Sequence, residues 1–277
     1  MCFSPEMSLA FAALGLLTSI ACWKAFRSVG VFLGCFWFFL MELLQYFQYQ
    51  WIDQCDSPIN KWLTIVGFVH ICYQPFFQQC IYYGFAKSKE VVAKYDLVLK
   101  LCLVSGTYLL FRVVGGILFP EWIKANQEGF GLGQNADGTL VGHNSTCGRS
   151  PEWLRSNQLC TFSGRYHLGW GAPMLDQSYY MPGVFIHFFF MFIPSLVIRH
   201  DRVYPWVATI VLMLTGPVLS AFITDDLMEQ ASIWCFFSVA QMVILFLGAT
   251  RDLYKSEGAL DGSNPKAAQK VVKATVR

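Results

Sequence analysis

The sequence predicts an all-α, polytopic membrane protein with seven transmembrane helices. Of its 277 residues, 55% belong to the apolar and aromatic set AVILMFWYC and only 14% are charged, whereas soluble domains carry about 25% charged residues. The mean hydropathy is +0.43. Because so few polar side chains cannot cover a core of this size, a soluble domain, a disordered chain and a nucleic-acid-binding protein are disfavoured.

Seven apolar stretches are long enough to cross a bilayer, whose hydrocarbon core of about 30 Å needs roughly 20 residues of helix. They lie near residues 7–23, 28–52, 61–85, 96–119, 181–199, 203–224 and 231–250. No basic residue precedes the first stretch, so we expect a retained helix and not a signal peptide. The pattern predicts one membrane domain, 1–254, and a disordered cytoplasmic tail, 255–277.

Basic residues in the short loops predict the orientation, because such residues stay preferentially on the cytoplasmic side. They fall in every second loop: Lys24, Arg27, Lys87, Lys89, Lys94, Arg199 and Arg202. The N-terminus is therefore expected outside or in a lumen, and the C-terminus in the cytoplasm. This orientation predicts a protein of the secretory-pathway or plasma membrane, in contact with membrane lipids.

The longest connection, 120–180, falls on the predicted outer side and is too long for a plain loop, so we expect an extracellular or lumenal cap or lid. It contains Cys147, Cys160 and the sequon Asn144-Ser145-Thr146, which predicts glycosylation at Asn144. Because an oxidising compartment allows disulfides, the two cysteines of this loop predict a Cys147–Cys160 bond. The remaining outer cysteines, Cys2 and Cys55, then form the second predicted pair.

Spacing of the stretches indicates a three-plus-one-plus-three layout. A shift of roughly 170–174 residues places the first three stretches over the last three and leaves the fourth as a linker. This layout resembles that of the SWEET and PQ-loop sugar and amino-acid transporters, whose two halves surround a site near the membrane midplane. The Pro-Gln pair that names the PQ-loop family is absent, and Gln74-Pro75 has the reverse order. The resemblance therefore assigns no functional residue.

Polar side chains within the stretches are the candidate site, because an ionisable group in a bilayer is costly unless it is paired or faces water. Helix positions place four ionisable groups at similar depth in the outer half, and amides extend the polar faces of the second and third stretches at helical spacing. The candidate residues are Glu42, Gln45, His70, Gln74, Arg112 and His187.

This set predicts transport or permeation of a small polar solute or ion through a polar seam. In that interpretation Glu42 and His70 exchange a proton or hold the solute, and Arg112 supplies the counter-charge. One alternative is an intramembrane metal-dependent enzyme acting on a lipid, because two His and one carboxylate suit zinc or non-haem iron. Others are a receptor or assembly subunit, and structural pairing of Glu42 with Arg112. The sequence identifies no cofactor.

Overall fold

The computed structural model describes residues 4–119, 131–134, 140–143, 154–156, 158–175, 183–198 and 203–260. Its first half consists of four long helices joined by short connections, and each packs against the next. They are α1 (Pro5–Phe26), α2 (Val29–Tyr49), α3 (Pro58–Phe85) and α4 (Lys89–Leu118). Short connections between packed neighbours make this half an up-and-down bundle.

The second half contains two antiparallel hairpins and a second group of helices. The hairpins pair β1 (Gly131–Gln134) with β2 (Leu140–His143), and β3 (Cys160–Ser163) with β4 (Leu168–Gly171). The helices are α5 (Phe185–Val197), α6 (Val203–Met213), a π-helical segment (Leu214–Val218), α7 (Leu219–Ile223), α8 (Leu227–Phe237) and α9 (Val239–Leu260). The fold is therefore mostly helical, and the predicted cap adds strands to the all-α architecture that the sequence predicts.

Five helical segments are long and apolar enough to cross a membrane: 5–26, 29–49, 89–118, 205–223 and 227–254. The protein is thus compatible with a membrane-embedded state. Two of the seven predicted spans do not meet this standard. Buried amides lower the hydropathy of α3, and α5 has only 13 residues, or about 20 Å of helix. The predicted tail boundary at 254 falls within α9, which continues to Leu260; residues 261–277 lie outside the described ranges.

Local signals explain where the helices begin. Pro5 and Pro58 occupy the first positions of α1 and α3, where a missing backbone N–H costs nothing. The hydroxyl of Ser88 accepts the N–H of Val91 at 3.2 Å and caps α4. Asp226 caps α8 in the same way, through the N–H of Met228 at 2.9 Å.

Close helix packing depends on small residues. A Cβ atom on Gly34 would lie 2.5 Å from the carbonyl oxygen of Phe77, and one on Gly106 would lie 2.5 Å from that of Cys72. Only glycine allows the backbones of α2 and α4 to approach α3 this closely. The position of α3 between these two helices, with α5 also packed against it, makes α3 a central element of the bundle.

A disulfide fastens the second hairpin to the bundle. Cys55, in the connection between α2 and α3, is bonded to Cys160 at the start of β3, with the two Cα atoms 4.9 Å apart. The Cys147–Cys160 pairing is therefore wrong, and so is Cys2–Cys55. The reason is spatial: the N–H of Asp53 donates to the carbonyl of Thr161 at 3.2 Å, so β3 lies alongside this connection. Residues 2, 144 and 147, with the predicted glycosylation site, lie outside the described ranges.

Candidate functional site

The β3–β4 hairpin closes one end of the bundle, which is the outer end in the orientation that the sequence predicts. All but one of its eight strand residues are buried, and the indole of Trp170 is fully enclosed. The Nε1 atom of Trp170 donates to Oε1 of Gln48 at 3.0 Å, and Nε2 of that glutamine donates to the carbonyl of Leu63 at 3.0 Å. We name residues 160–171 the outer plug.

His167 in the outer plug is held in one protonation state by its neighbours. Its Nδ1 atom lies 2.6 Å from the hydroxyl of Tyr49 and accepts the backbone N–H of Leu168 at 2.9 Å. Because a backbone N–H can only donate, Nδ1 carries no proton, and Tyr49 is the donor in the other bond. Burial lowers the pKa of His167 to about 3, so the ring is neutral at physiological pH.

Glu229 of α8 fastens the turn of the outer plug. This side chain is fully buried, and its Oε1 accepts the backbone N–H groups of Tyr166 and His167, the latter at 2.6 Å. A Cβ on Gly164 would lie 2.7 Å from the same carboxyl group. The close approach of the turn to the carboxylate therefore requires glycine at this position.

A second hydrogen-bonded cluster lies towards the opposite end of the bundle. Gln78 donates through Nε2 to the hydroxyl of Tyr82 at 2.6 Å, and Thr209 of α6 also bonds to that hydroxyl. Gln241 of α9 donates to Oε1 of Gln78 at 3.0 Å. All four side chains are fully buried. We name them the inner cluster; it joins α3, α6 and α9.

Between the outer plug and the inner cluster lie four buried polar side chains whose atoms lack partners within the described structure. These atoms are Oε2 of Glu42, both amide atoms of Gln45, Nε2 of Gln74 and Nδ1 of His187. None of these side chains is more than 6% exposed. We name the four residues the middle polar layer. A buried polar group without a hydrogen bond costs about 1–3 kcal/mol, so the layer is suited to water or a polar ligand.

A cavity of about 40 Å³ adjoins this layer, with Gln74 and His187 in its wall. Most of the lining is apolar, including Phe68, Leu109 and Trp234. Since one water needs about 10–15 Å³ of such space, the cavity can hold a small number of water molecules. Cys235 also lines it, and Glu42 lies close to that thiol.

Two predicted site residues have other contacts. Arg112 donates through Nε and Nη2 to the carbonyl of Leu175, at 2.9 and 2.6 Å, and its own carbonyl accepts the N–H of Leu175 at 3.1 Å. These bonds hold the segment that follows β4 against α4. The ring of His70 stacks on Trp37, with centroids 4.3 Å apart, and its Nε2 also has no hydrogen-bond partner within the described structure. Among the described residues the ion pair present is Lys94–Glu90, so Arg112 is not the ionic partner of Glu42.

Of the six predicted site residues, the structure brings Gln74 and His187 to one cavity, with Glu42 at its edge. Two further groups were not predicted from the sequence. The inner cluster could have been found, because Tyr82 continues the spacing of Gln74 and Gln78 along α3 by four residues. Glu229 carried no such signal, since its position beside Asp225 and Asp226 is typical of a solvated helix end. Only its contact with the outer plug explains its burial.

A metal centre has no evident donor set in the part of the chain that the structure describes. No three His, Cys, Asp or Glu side chains within those ranges are placed to bind one ion. The arrangement instead offers hydrogen-bonding groups, one carboxyl group and one imidazole around a small cavity. Such groups can bind polar molecules and exchange protons.

Comparison with known proteins gives a family but no described activity. No curated protein and no solved structure matches the chain. One family model matches residues 6–255, which includes every element that forms the outer plug, the middle polar layer and the inner cluster. The chain belongs to this family, described as a family of unknown function (DUF5765).

Proposed function

We propose that this protein moves a small polar solute or an ion across a membrane through the middle polar layer. The observation that supports the proposal is the set of unpartnered polar atoms on Glu42, Gln45, Gln74 and His187 within the described structure. In a membrane interior such groups are tolerated when they face a water-filled cavity or a pathway. The layer therefore has the chemistry of a solute path.

The two closed ends support alternating access. On one side the outer plug is bonded to α2, α3 and α8, and on the other the inner cluster joins α3, α6 and α9. Each end is held together by hydrogen bonds between different elements, whereas the layer between them has polar atoms without partners in the described structure on four side chains. We therefore assign the structure to an occluded state, in which transport requires one end to open at a time.

The π-helical segment between α6 and α7 is the element best suited to open the inner side. It contains Gly216 and Pro217, and π-helical turns frequently occur at functional sites. A Cβ on Gly216 would lie 2.3 Å from the ring of Trp234, which lines the cavity. A change in this segment would thus act directly on the cavity wall.

The proposal includes seven spans, with the N-terminus outside. Counted with the five apolar spans, α3 is long enough at about 42 Å, and α5 would cross where its neighbours or a thinned bilayer cover its ends. The Cys55–Cys160 bond supports an outer position for the plug, since disulfides persist in oxidising compartments. Lys24, Arg27 and Lys87 lie at the opposite helix ends and support a cytoplasmic position there.

Flux into proteoliposomes tests the proposal. Swelling after an osmotic step measures entry of urea, glycerol and glycine, and an enclosed pH dye measures proton entry. The key variant is Gln74→Leu, which keeps the approximate shape and removes the polar end. Its matched control is Gln50→Leu, because Gln50 is exposed at the end of α2. Glu42→Gln separates proton movement from solute movement, since it removes the ionisable group but retains hydrogen bonding.

A transport path predicts that Gln74→Leu lowers the flux of the conducted probe by about tenfold or more, equivalent to about 1.4 kcal/mol of added barrier. The variant should fold at least as well as the parent, because an unpartnered buried amide is replaced by an apolar group. The control should conduct like the parent. If no probe enters faster than into empty liposomes, or if folded Gln74→Leu conducts like the parent, the layer is structural. The enzyme and receptor alternatives would then gain weight.

A further inference from the structure

A second pocket lies at the outer surface, between the turn of the outer plug and the connection from α7 to α8. Its volume is about 260 Å³, and its wall includes Arg165, Phe222, Thr224, Asp225 and Glu229. We name it the outer pocket. It is separate from the cavity beside the middle polar layer, with which it shares no lining residue.

The acidic side of the outer pocket contains a buried carboxylate with spare bonding capacity. Glu229 is fully buried and uses Oε1 to hold the outer plug, while Oε2 has no partner in the described structure. Asp225 adds a second carboxylate at the exposed rim, and Asp226, whose Oδ1 caps α8, adds a third. A buried carboxylate oxygen without a bond is costly, and a cationic group entering the pocket would satisfy it.

The basic side of the same pocket contains Arg165. Its guanidinium lies 5.2 Å above the ring of Tyr166, and its side chain is exposed. Among the described residues, the ion pair with an N–O distance of 4 Å or less is Lys94–Glu90. The guanidinium of Arg165 is therefore not ion-paired with Glu229 or Asp225. Opposite charges therefore share one pocket without neutralising each other, which leaves space for a ligand to join them.

The shape and apolar lining restrict the ligand further. The ring of Phe222 is 85% exposed, and Ile223 beside it also lines the pocket. An exposed aromatic ring next to separated charges is typical of a site that binds an apolar group together with a charged one. A bare cation would use neither this surface nor Arg165, whose charge would repel it.

We propose that the outer pocket binds a zwitterionic solute the size of an amino acid. The ammonium group contacts Glu229 and Asp225, the carboxylate contacts Arg165, and an apolar side chain lies against Phe222. Bidentate hydrogen bonding between guanidinium and carboxylate gives the orientation. This binding is an equilibrium property and does not depend on the proposed transport.

Three matched probes test the assignment by isothermal titration of the full chain in lipid nanodiscs. They are leucine, isoamylamine, which is leucine without its carboxylate, and isocaproate, which is leucine without its ammonium group. We expect leucine to bind with a Kd at least about tenfold lower than either partial probe, because each missing charge removes a contact worth about 1.4 kcal/mol or more. No heat with leucine, or equal affinity for leucine and isoamylamine, would overturn the proposal.

Single substitutions test the basic and the acidic side of the outer pocket separately. Arg165→Gln should weaken leucine binding without weakening isoamylamine binding, since it removes the partner of the carboxylate and a charge that repels the amine, whereas Asp225→Asn should weaken both. These side chains are exposed, so neither substitution should affect folding. Glu90→Gln is the matched control, because Glu90 is an exposed carboxylate at the start of α4, remote from the pocket. If both site variants bind leucine like the control, the outer pocket is not the binding site.

Discussion

Acidification should loosen the outer plug through His167. The neutral ring accepts two hydrogen bonds at Nδ1, from Tyr49 and Leu168, and protonation of that atom would replace the acceptor by a donor. In the closed plug burial lowers the pKa of His167 to about 3, whereas an exposed histidine titrates near about 6.5. The open plug therefore binds the proton more tightly.

The sign and size of the effect follow from this difference. Because the pKa of His167 is lower in the closed state, its contribution to the stability of the closed plug is fully present above about pH 6.5. This contribution falls as the pH decreases below that value. A change from about pH 7.5 to about pH 5.5 should make opening easier by about 1.4 kcal/mol. The reason is that the lower pH lies about one unit below the pKa of His167 in the open state, where the proton binds. This corresponds to a roughly tenfold loss of protection against hydrogen exchange.

Hydrogen exchange followed by mass spectrometry over residues 160–171, with each rate divided by its intrinsic rate at that pH, measures this opening. The comparison variant is His167→Asn, whose Oδ1 can replace Nδ1 as acceptor but does not titrate. Glu229 and Asp53, which also accept hydrogen bonds from the plug, are present in both proteins, so their contributions cancel. An equal pH dependence in the parent and the variant would refute the reasoning.

Two further predictions concern the bundle. Non-reducing peptide mapping should recover Cys55 linked to Cys160, and Cys55→Ser should lower the free energy of unfolding by about 4–5 kcal/mol, as the loop-entropy relation gives for a ring of about 100 residues; a peptide linking Cys160 to Cys147 would contradict this. Gly106→Ala should lower the thermal midpoint, with a cost of about 1–3 kcal/mol, because its Cβ would lie 2.5 Å from a backbone carbonyl of α3. Gly15→Ala, whose nearest contact is 3.1 Å, is the control, and equal midpoints would reject the argument.

Helix positions were largely predictable because their signals are local. Apolar runs and the starting residues Pro5, Pro58 and Ser88 depend on neighbours within a few positions. The predicted stretches near 7–23 and 61–85 accordingly fall within α1 and α3. The strands of the outer plug were not predicted, since four-residue strands rich in glycine carry little periodic signal.

The candidate site was partly predictable because depth follows from position along a helix, whereas direction also depends on how each helix is rotated in the bundle. Depth placed Glu42, His70, His187 and Arg112 at one level, and helical spacing added Gln74; of these residues, Gln74 and His187 line the cavity. Arg112 and His70 point to other partners, namely the chain after β4 and Trp37. The rotation of each helix about its own axis decides which partner a side chain meets. This rotation depends on packing between helices that are far apart in the sequence.

Disulfide pairing likewise shows the difference between what the sequence predicts and what the tertiary structure decides. Sequence separation favours Cys147 for Cys160, because the two share one loop, but a bond requires the Cα atoms to lie within about 7 Å. Docking of β3 beside the α2–α3 connection brings Cys55 to 4.9 Å from Cys160 instead. The burial of Glu229 has the same origin, since the turn of the outer plug supplies its partners.

The amino-acid sequence by itself determined that the chain is apolar enough for a membrane and where most helices lie. These properties follow from composition and from interactions within a few residues. Only the tertiary structure decided the disulfide, the partners of Arg112 and Glu229, and the enclosure of the middle polar layer. Each of these depends on contacts between segments far apart in the chain, whose positions are fixed by packing of the whole bundle.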